Sequence, residues 1–259
     1  MMFTTGKKRI NHMKKTYLFR GIFYLTGLLV LALGITLNTK TGLGVSPIIS
    51  VSYSISTIWN LNFGDMTLVL YALFVVLEMV LHVVRNQKYR KKEGNVLEHA
   101  NKVNLKLILF MDVLQFPLSI VFTRFLNVFS GWLPDLQKTY GNGFAGSFAG
   151  RLLFLAIAIL LTGVGAAMSL NMRVIPNPGD GIVQAVADCV GKGVGFTKNC
   201  FDLLNISITI TVGLVFAGKL VGVGLGTVLA VIGVGRVIAV FNHLCMDKMD
   251  KLAGIKCGK

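Results

Sequence analysis

Charge is what this sequence has least of, and negative charge least of all. Only 14% of its 259 residues are Asp, Glu, Lys or Arg, and Asp plus Glu number 11. A soluble domain usually carries about 25% charge. With 54% of the residues hydrophobic, the shortfall implies a surface that faces lipid rather than water. Cysteines number four, Cys189, Cys200, Cys245 and Cys257, with no CxxC spacing and no His/Cys cluster of zinc-site type. We expect reduced thiols near the cytoplasmic side, and neither a metal nor a cofactor. P-loop, HExxH and GxSxG patterns are also missing, which argues against an enzyme. His12, His82, His99 and His243 are scattered near the expected cytoplasmic ends.

What is present is a series of long apolar runs. Crossing a hydrocarbon core of about 30 Å takes roughly 20 apolar residues as helix. Six segments meet this, near 17–38, 66–84, 107–129, 149–171, 199–217 and 220–242. The first run, Tyr17 to Leu37, is too long for a cleavable signal and is expected to stay as the first span. Two shorter stretches, Gly44 to Leu61 and Asn177 to Gly195, begin with Gly and Pro and are more polar than their neighbours. Full spans, interfacial helices and re-entrant hairpins all fit their length.

The basic residues choose among these. The net charge of +15 would suggest anionic partners in a soluble protein. In a membrane protein, Lys and Arg collect on cytoplasmic loops instead, so no nucleic-acid partner is expected. Lys7, Lys8, Arg9, Lys14, Lys15 and Arg20 precede or open the first span. Arg85, Lys88, Arg90, Lys91, Lys92, Lys102 and Lys106 fill one loop, and Lys248, Lys251, Lys256 and Lys259 the C-tail. If both short stretches crossed, the basic loop would lie outside. If neither crosses, the N-tail, this loop, the Arg173–Lys198 region and the C-tail all lie inside. The outer side then holds Lys40, Lys138 and Lys219, with Arg124 and Arg151 at span ends.

The expected fold is therefore all-α: a polytopic membrane helical bundle of two inverted repeats. Each repeat has three spanning helices and one short re-entrant or broken segment. The plan runs as a cytoplasmic basic tail 1–16, a first repeat 17–130 with a cytoplasmic loop 85–106, an extracytoplasmic linker 131–147, a second repeat 148–243 and a cytoplasmic tail 244–259. Leu37-Asn38 aligns with Leu170-Asn171, Ser46-Pro47 with Gly179-Asp180, and Phe63 with Phe196. The shared order of elements carries the repeat better than these identities do. Inverted repeats with a broken element in each half are a secondary-transporter arrangement.

Gly34-x-x-Leu37-Asn38, Gly44-x-Ser46-Pro47, Pro178-Gly179-Asp180 and Gly224-x-Gly226-Thr227, with Gly233 and Gly235 downstream, occur in this order over nearly the whole chain. In these motifs the sequence resembles the YitT/YczE-like bacterial membrane proteins. The resemblance implies a bacterial cytoplasmic-membrane location and little about activity. Arg236 departs from it, standing where a Pro is expected in many relatives.

A charged group at the bilayer centre costs about 2.5–3.5 kcal/mol on insertion scales, so acids within apolar segments call for a reason. Asp112, Gln115, Ser119 and Thr123 share one helical face, and so do Asp202, Asn205 and Thr209. Either stripe lines a cavity for a cation or polar solute, or it bonds neighbouring helices. Asp180, Gln184 and Asp188 recur along the second short stretch; Asp180 is either its N-cap or part of a binding site on unwound backbone. Ser46, Ser50, Ser54 and Thr57 lie near one face of the first. Glu78 is explained by snorkelling or a local pair with Arg85, and Arg236 calls for an acid on another helix. Gly218, Gly222 and Gly226 make two GxxxG steps, which suit packing within the chain or a homodimer seam.

The function that follows is a permease for a small solute or ion, proton- or cation-coupled, in contact with the lipid bilayer. Its substrate site is expected at Ser46, Pro47, Ser50, Gln115, Ser119, Gly179, Asp180, Gly181, Gln184 and Asn205, with Asp112, Asp202 and Asp188 as coupling acids. The rival reading is a membrane partner or assembly factor that transports nothing.

Overall fold

The computed structural model describes residues 2–92, 105–141 and 143–254. The side chains of 2–15 and 88–92 fall outside that description, and so do His99, Lys102, Lys256, Cys257 and Lys259 entirely. The protein is all-helical over the described residues, with nine α-helices and no strand. Six helices are long and apolar enough to cross a membrane. They are α1 (Met2–Lys40), α3 (Phe63–Lys92), α4 (Leu105–Trp132), α6 (Phe148–Asn171), α8 (Val194–Ala217) and α9 (Leu225–Ala253). Two further helices are short, α2 (Pro47–Ile58) and α7 (Pro178–Val190), and α5 (Leu136–Thr139) is a single turn.

Several boundaries differ from the sequence reading. α1 begins at Met2, so the basic stretch ahead of the first span is itself helical. Lys and Arg are good helix formers, and no proline interrupts them there. α3 and α9 likewise run on past their apolar cores to Lys92 and Ala253. The last span starts at Leu225 rather than near 220 because three glycines break the chain before it. Gly218 is the left-handed C-cap of α8, and Gly222 has φ +83°. The two GxxxG steps are therefore not a helical stripe: of Gly218, Gly222 and Gly226, only Gly226 lies in a helix, and the homodimer seam loses its basis.

α2 and α7 start alike. Ser46 and Asn177 are extended N-caps (ψ 136° and 139°), and Pro47 and Pro178 open the helices. A residue before proline is pushed to extended backbone, and proline suits the first helical position because its missing N–H would be unbonded anyway. The two helices thus start at Pro47 and Pro178, two positions out of step with the expected alignment of Ser46-Pro47 with Gly179-Asp180. With 12 and 13 residues, these helices are about 18–20 Å long, well short of a hydrocarbon core of about 30 Å.

The chain divides into two compact units, each drawing on both halves of the sequence. The first comprises Met1–Leu43, Val128–Val174 and Val228–Lys259, and so contains α1, α6 and nearly all of α9. Here α1 and α6 pack tightly and antiparallel. A Cβ on Gly27 would fall 2.7 Å from the Ser169 nitrogen, one on Gly34 2.5 Å from the Thr162 nitrogen, and one on Gly165 2.3 Å from the Leu31 nitrogen. As numbers rise on α1 they fall on α6. At the end of this contact Arg20 donates to the carbonyls of Met172 and Arg173, both at 2.6 Å, and closes the C-terminus of α6. α9 runs parallel to α6: Gly163 abuts Val237, Gly233 abuts Ile159, and Asn171 donates to Asn242 at 2.8 Å.

The second unit comprises Gly44–Asn127 and Ile175–Thr227. Its pairings are α2 with α8, α3 with α7, α2 with α3 and α7 with α8. Tyr71 of α3 stacks on Phe122 of α4, and Phe74 of α3 meets Phe201 of α8 edge to face. α4 carries Pro117 in its interior.

Candidate functional site

Polar residues are concentrated in the interior of the second unit. Asp112, Gln115, Ser119 and Thr123 of α4 are all buried, as are Asp202, Asn205 and Thr209 of α8. Both faces read from the spacing are therefore interior faces. Their surroundings differ.

On the α4 side, the stripe meets α3. His82 Nδ1 and Asp112 Oδ2 are 2.9 Å apart, and Gln115 Nε2 donates to Glu78 Oε2 at 3.0 Å. Glu78, His82 and Asp112 each offer a ligand atom within 4.8 Å of the other two. Glu78 is only 3% exposed, so it does not snorkel as expected. The nearby cation Arg85 donates to Asp188 of α7 at 2.6 Å. α7 completes the group: a Cβ on Gly181 would lie 2.5 Å from Glu78 Oε2, so a glycine there is what lets the carboxylate approach the first turn of α7. The Oε1 of Gln115, a residue with no exposed surface, has no hydrogen-bond partner among the described residues.

The expected sites on the short helices are placed as follows. Asn177 is the N-cap of α7, and Asp180 falls in its first turn, which removes the N-cap reading of Asp180. Gly179 is buried against Ile48, so the first turns of α7 and α2 touch. Gln184 is exposed and donates to Asp188 at 2.9 Å. With Arg85 on its other oxygen, Asp188 is committed to an ion pair. Ser46 caps α2 with no side-chain bond, and Pro47 is buried. Ser50 Oγ lies 2.7 Å from Thr209 Oγ1, and Ser52 Oγ 3.1 Å from Thr67 Oγ1. Ser54 is buried and its Oγ has no hydrogen-bond partner among the described residues, whereas Thr57 is exposed.

Asp202 is 4% exposed. One oxygen is 3.7 Å from Lys198 Nζ and the other has no hydrogen-bond partner among the described residues. Asn205 donates to the Phe201 carbonyl of its own helix at 2.9 Å. The two motifs at Gly44 and Gly224 also meet. Val45 N donates to the Gly222 carbonyl at 2.9 Å, and a Cβ on Gly44, which has φ +117°, would fall 2.6 Å from Thr227 Oγ1. Only glycine takes that backbone readily at such close quarters.

Arg236 does not find the expected acid: among the described residues it makes no ion pair. It is exposed at the rim of an apolar cleft between α6 and α9, lined by Leu155, Ile159 and Ile232 among others. The cysteines Cys189, Cys200 and Cys245 are free thiols, and Cys189 Sγ donates to the Leu81 carbonyl.

Sequence reasoning missed the Glu78–His82–Asp112 group. The signal was present, because Glu78 and His82 stand one helical turn apart on α3. Spacing within one chain segment pairs Glu78 with the local Arg85 and carries no mark of a partner on a second helix.

A family of unknown function (DUF6198) matches residues 18–98 and 100–243. The uncharacterized membrane protein YczE of Bacillus subtilis (strain 168) is 23% identical over 229 residues, 87% of this chain and 86% of that protein. The uncharacterized protein YyaS of the same organism is 22% identical over 223 residues, 85% and 90% of the two chains. No solved structure matches. The resemblance carried by the Gly/Pro motifs is upheld, and with six spanning helices the protein is an integral membrane protein in contact with lipid. The chain belongs to the family of unknown function DUF6198.

Proposed function

We propose that this protein is a secondary transporter or permease of the bacterial cytoplasmic membrane, moving a small polar solute or ion with proton or cation coupling and no covalent step. One observation carries the reading: two short proline-opened helices touch at their first turns, Gly179 against Ile48, inside a unit that buries Glu78, Asp112 and Asp202. Half-length helices meeting among intramembrane acids are the usual construction of a transporter site.

The directions of packing support an inverted repeat. If α2 does not cross, α1 and α6 are the first and fourth crossings and run oppositely, as they do. If α7 does not cross, α6 and α9 are the fourth and sixth crossings and run the same way, as they do. A full crossing by either short helix would reverse the corresponding relation. Exchanging the halves also maps α1–α6 onto itself and α2–α8 onto α7–α3, both of which are observed pairs. This parity supports termini on one side of the membrane, and the basic loops favour the cytoplasmic side.

The test uses proteoliposomes carrying an internal pH dye and imposed Na⁺, K⁺ or Mn²⁺ gradients. Wild-type protein produces a cation-dependent pH change, and Asp112→Asn and Asp202→Asn each diminish it. Unchanged flux in both variants removes the coupling role. Absence of flux with every cation favours the second reading, a non-transporting membrane partner. That reading is itself supported by the closed Ser50–Thr209 and Ser52–Thr67 pairs, which hold helices together without a ligand.

A further inference from the structure

We infer that Glu78, His82, Asp112 and Gln115 form a binding site for one divalent first-row transition-metal cation. Three observations converge. The ligand atoms of Glu78, His82 and Asp112 already lie within 4.8 Å of one another, with Glu78 and Asp112 buried and His82 half-buried. Gln115 is fully buried beside them, hydrogen-bonded to Glu78 through its nitrogen, and its carbonyl oxygen has no partner among the described residues. A buried amide oxygen left unbonded is costly, and such an exception calls for an explanation. Gly181 then admits the Glu78 carboxylate to the start of α7 where any side chain would push it away.

The donor set selects the class of cation. Two carboxylates and a neutral imidazole carry a charge of about −2, matching a divalent ion, and an amide oxygen supplies a fourth donor. Imidazole suits Zn²⁺, Fe²⁺ and Ni²⁺, while carboxylate and carbonyl oxygens suit Mn²⁺, Mg²⁺ and Ca²⁺. A mixed set with one nitrogen and several oxygens points between them, to Mn²⁺, Fe²⁺ or Zn²⁺. Among the described residues no thiol joins the cluster, which disfavours Cu⁺.

Binding does not depend on the transport reading, and the test keeps the two apart. Full-length protein purified in detergent and stripped with chelator is titrated with Mn²⁺, and free and bound Mn²⁺ are measured by EPR. One saturable Mn²⁺ per chain is expected, displaced by Zn²⁺ and retained against Mg²⁺ at roughly hundredfold excess. His82→Gln and Asp112→Asn each weaken binding by at least about tenfold. The pulsed-EPR coupling of bound Mn²⁺ to a ligand nitrogen disappears in His82→Gln. Gln115→Glu, which exchanges the amide for a third carboxylate, tightens binding several-fold, a gain that misfolding cannot produce. Folded, monodisperse wild-type protein that binds no Mn²⁺ overturns the inference. So does binding that neither His82→Gln nor Asp112→Asn changes. Mn²⁺ binding without flux leaves this site standing and removes the transporter; flux without Mn²⁺ binding does the reverse.

Discussion

Replacing Gly165 by alanine tests the helix contact on which the packing directions rest. A Cβ there would lie 2.3 Å from the Leu31 nitrogen, 2.7 Å from the Leu31 Cα and 2.7 Å from the Gly27 carbonyl oxygen. All three are backbone atoms of α1, so no side chain can swing aside. Favourable contact between carbon atoms begins near 3.5 Å, and α1 and α6 must part by about 1 Å at this level. Overpacking of this kind costs about 1–3 kcal/mol. Alanine returns up to about 1 kcal/mol through its higher helix propensity, leaving a net loss near 1–2 kcal/mol. At roughly 2–4 °C per kcal/mol for a chain of this size, the midpoint of heat-induced loss of monodisperse protein in detergent falls by about 2–8 °C. Gly21→Ala is the control, because a Cβ there meets nothing within 4 Å. It gains the propensity term and matches or exceeds wild type. Equal or greater stability of Gly165→Ala would refute the close approach, and the antiparallel relation of α1 and α6 would lose its main support.

Two further predictions concern the second unit and the crossing pattern. A double-mutant cycle with Ser50→Ala and Thr209→Val, read as thermal stability in detergent, should give a coupling near 0.6 kcal/mol and not above about 1.7 kcal/mol; zero coupling would mean that their 2.7 Å contact holds nothing together. In a cysteine-free background, a membrane-impermeant maleimide applied to intact cells should label Lys138→Cys and spare Lys192→Cys. Both positions are exposed, so labelling of Lys192→Cys from outside would show that α7 crosses.

What could be read in advance was whatever repeats along one helix. The six spans follow from runs of apolar residues, and the buried faces of α4 and α8 follow from Asp112-Gln115-Ser119 and Asp202-Asn205-Thr209. What could not be read was which helix each face meets. Glu78 was matched with Arg85 because they are neighbours in the chain, but Arg85 reaches Asp188, 103 residues away, while Glu78 turns to Gln115. Spacing also misled at Gly218 and Gly222. A four-residue repeat of glycine is the same string whether it allows helices to touch or breaks a helix, and the positive φ of both residues decides for the break. The place of Asp180 followed from Pro178, which fixes the first position of α7 and leaves the cap to Asn177.

Pro117 has a mechanical consequence for the helix that carries Asp112 and Gln115. Lacking an N–H, it cannot bond the Val113 carbonyl, so α4 is missing the rung from 117 to 113, in the turn that holds Gln115. The Ser119 hydroxyl, bonded to the Gln115 carbonyl at 2.7 Å, braces the same turn. A rod with one rung removed and a brace beside it bends most readily there. This weak point therefore sits between two fixed contacts with α3: Asp112 on His82 and Gln115 on Glu78 ahead of Pro117, and Phe122 on Tyr71 and Asn127 on Gly64 beyond it.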